Sequence, residues 1–243
     1  MNALESNVYT DAWRDLGASL RRPRAVLCIS AHWFVRGAMV TAMDRPRTIH
    51  DFGGFPPELY EVQYHAPGSP ALAAEIQKRL APTDVALDEA WGLDHGTWSV
   101  LVHMFPRADV PVVQLSLDRS QPATWHYRLG AALAPLSADG VLVIGSGNVV
   151  HNLETYAWGG HRADPFDWAV RFDDRVRRLL DAGTHDPLVD YEQLGPDAHL
   201  AIPTPDHFLP LLYVMAAGRG REVSYPVAGI QGGSISMLSV RMG

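Results

Sequence analysis

The stretch AVLCISAHWF, residues 25–34, decides the fold class. Its first seven residues are apolar or small, the pattern of a strand buried on both faces. His32, Trp33 and Phe34 follow directly, so a titratable imidazole sits at the mouth of a core strand.

Three further apolar runs, residues 38–42, 111–117 and 140–146, read as strands, and their valine and isoleucine content mostly favours strand over helix. Helical patterns separate them. In GSPALAAEIQKRL, Ser69 is the expected N-cap and Pro70 the first helical residue. Ser120 and Pro122 take the same roles in RSQPATWHYRLGAAL. In DPFDWAVRFDDRVRRLL, Phe166, Val170, Val176 and Leu180 fall near one face. TPDHFLPLLYVMAAG predicts a helix capped by Thr204, with His207 in its first turn, Pro210 kinking it and Gly218 ending it. Alternating strands and helices predict an α/β fold, one domain over residues 1–243 with a central mostly parallel or mixed sheet flanked by helices. Residues 43–68, rich in glycine, proline and aromatics, form a long loop of the functional kind.

Composition narrows the function. The 243 residues carry a formal net charge of −7 with no basic patch, which argues against nucleic acid. No apolar run reaches the roughly 20 residues of a membrane span, and no signal peptide is recognisable. A single cysteine, Cys28, excludes an intrachain disulfide and fits a reducing compartment, so a cytoplasmic location is expected. Self-association into a homo-oligomer stays open.

The eleven histidines are the unusual feature. Ligands of open α/β sheets bind beyond the carboxyl ends of strands. His32 is read just past such an end, and His151 follows the strand of GVLVIGSG. Asp94 is placed to cap a helix starting near His95, and His207 opens its own helix. The positive end of a helix dipole favours neutral imidazole, the form that ligates metals. Taken singly, each is more often a structural residue, and His103, His126, His161, His185 and His199 read as solvated. No compact zinc motif is present. GSGN at 145–148 lacks the lysine of a phosphate-binding loop, and Ser146 lacks the glycine frame of a nucleophile elbow.

The blocks SAHWF, IHDFGGFPPELYEVQYHAPGSP, WGLDHGTWSVLVHMFP, VVQLSLD, GSGNVVHNL, TPDHFLPLLYVMAAG and GSISMLSVRMG resemble, nearly end to end, the 4,5-DOPA extradiol dioxygenase-like family. These are class III extradiol ring-cleavage enzymes. The resemblance implies His32 and His207 as metal ligands. It implies His151 as an acid–base group beside the metal, close enough to touch the ion, and His95 as a second catalytic histidine. It also implies a substrate pocket lined by residues 50–56, hence His50, Asp51, Phe52 and Phe55, with Tyr64 and His65 following; Trp33 would add to the apolar wall. The family pattern opens with a strand running into His-Gly-Ser-Pro, ahead of MNALESN. That first histidine ligand and its strand are expected upstream of Met1, as an internal methionine of a longer protein.

The implied reaction opens a catechol such as DOPA with O2. It needs one divalent metal, Zn2+ or Fe2+, and a base for a hydroxyl proton. With histidines as the only ligand candidates, zinc gains weight over iron. A zinc-dependent hydrolase, or a non-catalytic metal- or ligand-binding module on the same fold, is the alternative.

Overall fold

The computed structural model describes residues 2–159 and 164–243; His161 lies outside them. Helix α1 (Val8–Ser19) leads into β1 (Ala25–Val35) and β2 (Ala38–Thr41). After the long loop with its single turn α2 (Pro57–Tyr60) come α3 (Pro70–Arg79), β3 (Val85–Asp88), α4 (His95–Met104), β4 (Val112–Asp118), α5 (Ala123–Leu133) and β5 (Val141–Ser146). The rest is mostly helical: α6 (Asp167–Asp181), α7 (Asp186–Val189), α8 (Pro196–Ala201) and α9 (Leu209–Ala217). Two short ladders close the chain, β6 (Val223–Ser224) on β9 (Arg241–Met242) and β7 (Ile230–Gln231) on β8 (Ile235–Ser236).

One mixed five-stranded sheet, ordered β3-β2-β4-β1-β5, organises the molecule. β1 runs parallel to both β4 and β5, β2 parallel to β3, and β2 meets β4 antiparallel. Alternation along β1 divides the core. Ala25, Leu27 and Ile29 face α3, α5, α6 and α9, whereas Val26 and Cys28 face α4 and its neighbours Trp98 and Leu101. Both faces are covered, which is why the run carries no polar residue before Ser30. Cys28 accepts a 3.3 Å hydrogen bond from the Thr97 hydroxyl, and burial pushes its thiol pKa up to about 12.

Several local expectations are corrected. β1 continues to Val35, and its register on β4 shifts between Ile29 and Phe34, so His32 lies within the strand at an irregularity rather than past its end. Ser69 caps α3 as expected, but Ser120 does not cap α5: its N–H and hydroxyl both donate to Asp118 Oδ1 instead. On α6 the buried stripe is Ala169, Phe172, Asp173, Val176 and Leu180, while Phe166 and Val170 are exposed. α9 begins at Leu209, so Thr204 is not its cap, His207 sits in the preceding turn, and Pro210 occupies the first turn, where its missing N–H costs no helix bond. His103, His126 and His185 are buried rather than solvated, whereas His199 is exposed. Each buried ring has a distant partner: the Asn2 carbonyl, the Tyr213 hydroxyl and the Tyr127 hydroxyl, respectively.

Candidate active site

Four histidines from four segments meet in one row. His95 and His32 have ring centroids 3.8 Å apart, His32 and His207 are 5.1 Å apart and edge-on, and His207 stacks on His151 at 3.5 Å. Each is brought there by local structure. The β1 irregularity carries His32. Asp94 caps α4 through a 3.0 Å bond from the Thr97 N–H, which makes His95 the first helical residue. His151 follows β5, forms an isolated bridge with Ile235 and donates its backbone N–H to the Ala201 carbonyl. His207 is held in its turn by the Asn148 N–H, which donates to its carbonyl at 2.8 Å.

Small residues permit this convergence. A Cβ on Gly96 would lie 2.6 Å from Ser30 Oγ and 2.7 Å from His32 Cδ2, so only glycine lets the α4 start seat against β1. A Cβ on Gly147 would come within 2.2 Å of the His207 carbonyl oxygen. The glycines of GSGN thus serve close packing of β5 on the His207 turn.

Beneath the row lies a buried carboxylate. Asp94 accepts from Ser30 Oγ at 2.8 Å, from the Thr97 N–H, and from Gln114 Nε2 at 2.7 Å, so hydrogen bonds satisfy its buried oxygens. A second carboxylate, Asp51, arrives from the long loop. Its Oδ1 accepts the His95 backbone N–H at 2.9 Å and lies 3.0 Å from His95 Nδ1; its Oδ2 is 3.7 Å from His32 Nδ1. Burial works to raise the Asp51 pKa, but contact with His95 outweighs it and holds the carboxylate below its ordinary value.

Three of the four histidines, His32, His151 and His207, are held toward the neutral, ligating form. Burial, reinforced by neighbouring imidazoles, depresses His32 and takes His207 well below its ordinary value. Burial likewise brings His151 down to about 4.

Ligand atoms of His32, Asp51 and His95 all lie within 4.8 Å of one another. His95 Nδ1 is buried yet finds no well-aligned hydrogen-bond partner among the described residues, although Asp51 Oδ1 is 3.0 Å away. An orphaned ring nitrogen facing a second imidazole and an ionised carboxylate fits a divalent cation. The cluster adds a carboxylate to the histidines that the sequence singled out as ligand candidates.

The aromatic residues divide. Phe52 is a hub, 5.2 Å from the His95 ring and within 5.7 Å of His50, Phe55 and Tyr60. His50 donates from Nε2 to the Val62 carbonyl and meets Trp98 edge-on. Phe52, Phe55 and His50 are half-buried, and they form an aromatic wall next to His95. Trp33 and Tyr64 are not brought to it. Trp33 is buried and stacked on Trp91 at 5.5 Å, and Tyr64 is buried with its hydroxyl donating to the Phe105 carbonyl. His65 is exposed. Residues that sequence reasoning did not reach are Tyr60, Trp98, Asn148 and the ligating geometry of Asp51. Asn148 opens the NVVHN stretch, but nothing there pointed to His207, 59 residues away.

Imidazoles, an ionised carboxylate and an aromatic wall on an α/β sheet fit a metalloenzyme acting on small aromatic molecules. Residues 3–234 match the family described as the catalytic LigB subunit of aromatic ring-opening dioxygenase. The chain is 52% identical over its full length to 4,5-DOPA dioxygenase extradiol of Escherichia coli K12, covering 91% of that protein. It is 42% identical to the protein of the same name from Beta vulgaris, across 87% of this chain and 79% of the relative. A crystal structure of an uncharacterized E. coli K12 protein superposes with a TM-score of 0.85 at 46% identity, covering 99% of this chain and 94% of that one. The protein belongs to the LigB family of class III extradiol dioxygenases. It is an extradiol ring-cleaving enzyme, and the family's enzymes are metal-dependent and act on a small aromatic substrate with O2. Among the described residues no helix is long and apolar enough to cross a membrane.

Proposed function

We propose that this enzyme opens the ring of a catechol such as DOPA, using one divalent metal, Fe2+ or Zn2+, held by His32 and His207 with Asp51 and His95 at its flank. The observation that carries the reading is the unbroken row His95–His32–His207–His151 with Asp51 beside it. The names of the E. coli and beet relatives support the substrate class.

When bound, iron supplies a site where catecholate oxygens and dioxygen come together, whereas zinc has no accessible one-electron change. The chain's own groups do the rest. The wall of Phe52, Phe55 and His50 holds the aromatic ring face and limits water beside His95. His151, neutral at working pH, accepts a proton from a substrate hydroxyl at a ring nitrogen. His95, pinned by Asp51, is the second proton-handling group. Asp51, ionised, stabilises positive charge on either neighbouring imidazole.

The test is metal-stripped protein reloaded with Fe2+ or Zn2+ and given DOPA in an oxygen electrode. Oxygen uptake with a yellow semialdehyde product under Fe2+ alone is expected. Turnover with zinc and no oxygen consumption would overturn the reading.

A further inference from the structure

We infer that Asn148 is a positioning residue that fixes the tautomer of His207, holding the proton on Nδ1 and leaving Nε2 as the free electron pair. The inference rests on the reading of His207 as a metal ligand only for its consequence; the tautomer itself follows from the hydrogen bonds.

An asparagine amide has two ends, and here one end is settled by a partner that can only accept. The Asn148 amide lies 2.7 Å from the backbone carbonyl oxygen of Ser236, so the group facing it must be the NH2. The other end, Oδ1, then faces His207 Nδ1 at 2.9 Å. That oxygen can only accept, so Nδ1 must donate and carries the ring proton. A neutral imidazole has one proton, so Nε2 is bare.

The arrangement is braced from both sides. Asn148 also grips the His207 backbone, because its N–H donates to the His207 carbonyl. Ser236 cannot drift: its N–H donates to the Val150 carbonyl, and its hydroxyl donates to the buried carboxylate of Asp173 at 2.5 Å. Asp173 is in turn 3.2 Å from Arg177 Nε. A chain of contacts from α6 through β8 therefore ends on one ring nitrogen of His207. Partners of this kind orient ligating histidines and raise their basicity.

The experiment uses the metal-free full chain with 15N-labelled histidine, read by long-range 1H–15N NMR, with the His207 signals assigned by their loss in His207→Gln. The wild type should show the Nδ1–H pattern. Asn148→Ala should move His207 toward the Nε2–H pattern, and Asn148→Asp, which still offers an acceptor, should restore Nδ1–H. A Co2+ titration of the same proteins should show about 10- to 100-fold weaker binding in Asn148→Ala, recovered in Asn148→Asp. An Nε2–H signal in the wild type overturns the inference without any variant, as does an unchanged tautomer in Asn148→Ala. Should His207→Gln bind Co2+ as tightly as wild type, the ligand reading falls while the NMR pattern still decides the tautomer.

Discussion

His151 and His207 lie face to face, their ring centroids 3.5 Å apart and their planes only 4° from parallel. Two stacked imidazoles cannot both be protonated without strong repulsion, and burial already favours the neutral form of each. The pair thus offers two neutral rings side by side, and Asn148 anchors the His207 ring. That asymmetry matches the roles proposed for them, ligand for His207 and base for His151.

His32→Ala and His207→Ala should each remove most of the bound metal, since each takes away a nitrogen from the centre of the row. Elemental analysis of the purified variants checks this; undiminished occupancy would count against both assignments.

His151→Ala should keep much of its metal and lose turnover by roughly 10²- to 10⁴-fold, the usual contribution of a positioned general base. His95→Ala should show a smaller loss. Steady-state oxygen uptake together with metal content separates the two effects, and wild-type turnover in either variant ends that residue's catalytic role.

Asp51→Asn preserves shape but removes the charge that lies 3.0 Å from His95 and 3.7 Å from His32. Metal affinity is predicted to fall, with the larger effect for Fe2+, whose facial sites use a carboxylate. A competitive chelator titration measures it. Unchanged affinity for both metals would confine Asp51 to orienting His95.

Gly96→Ala should destabilise the fold by about 1–3 kcal/mol, because the new methyl has no room beside Ser30 and His32. Urea unfolding gives the number. A neutral result would mean that the start of α4 can move outward, and then metal binding should be intact too.

Stability should also decline in acid through His126. Burial brings its pKa down to about 4 in the folded chain, against about 6.5 when unfolded. Above 6.5 neither state binds the proton, so the full stability is present. As pH falls from 6.5 to 4 the unfolded chain takes up a proton that the folded one refuses, and up to about 3 kcal/mol is lost. Comparing urea midpoints of wild type and His126→Gln across that window isolates this group from the other depressed histidines. Parallel pH profiles for the two proteins would contradict it.

Four strands of the sheet were legible because apolar or small residues dominate runs buried on both faces, as in residues 25–31, all seven of which are buried; β3, two of whose four residues are exposed, carries no such run. The Ser69 and Asp94 caps were legible because capping is a local hydrogen bond. Pairings across the chain were not. Nothing near His126 announces Tyr213, 87 residues on, and without that partner the ring reads as solvated. Asp51 looked like one polar residue in a pocket loop; only folding brings it against the backbone N–H of His95, 44 positions later. His207 was read into its helix because Thr204-Pro205 imitates a cap, yet the chain spends those residues on a turn that presents the ring.

The seat of Cys28 has a consequence for an oxygen-consuming catalyst. Sulfur is oxidised as thiolate and where reagents can reach it. Here the single sulfhydryl is buried on one face of the central strand β1, and burial pushes its pKa up to about 12. Native protein should resist iodoacetamide, and loss of activity during turnover should trace to groups other than this thiol.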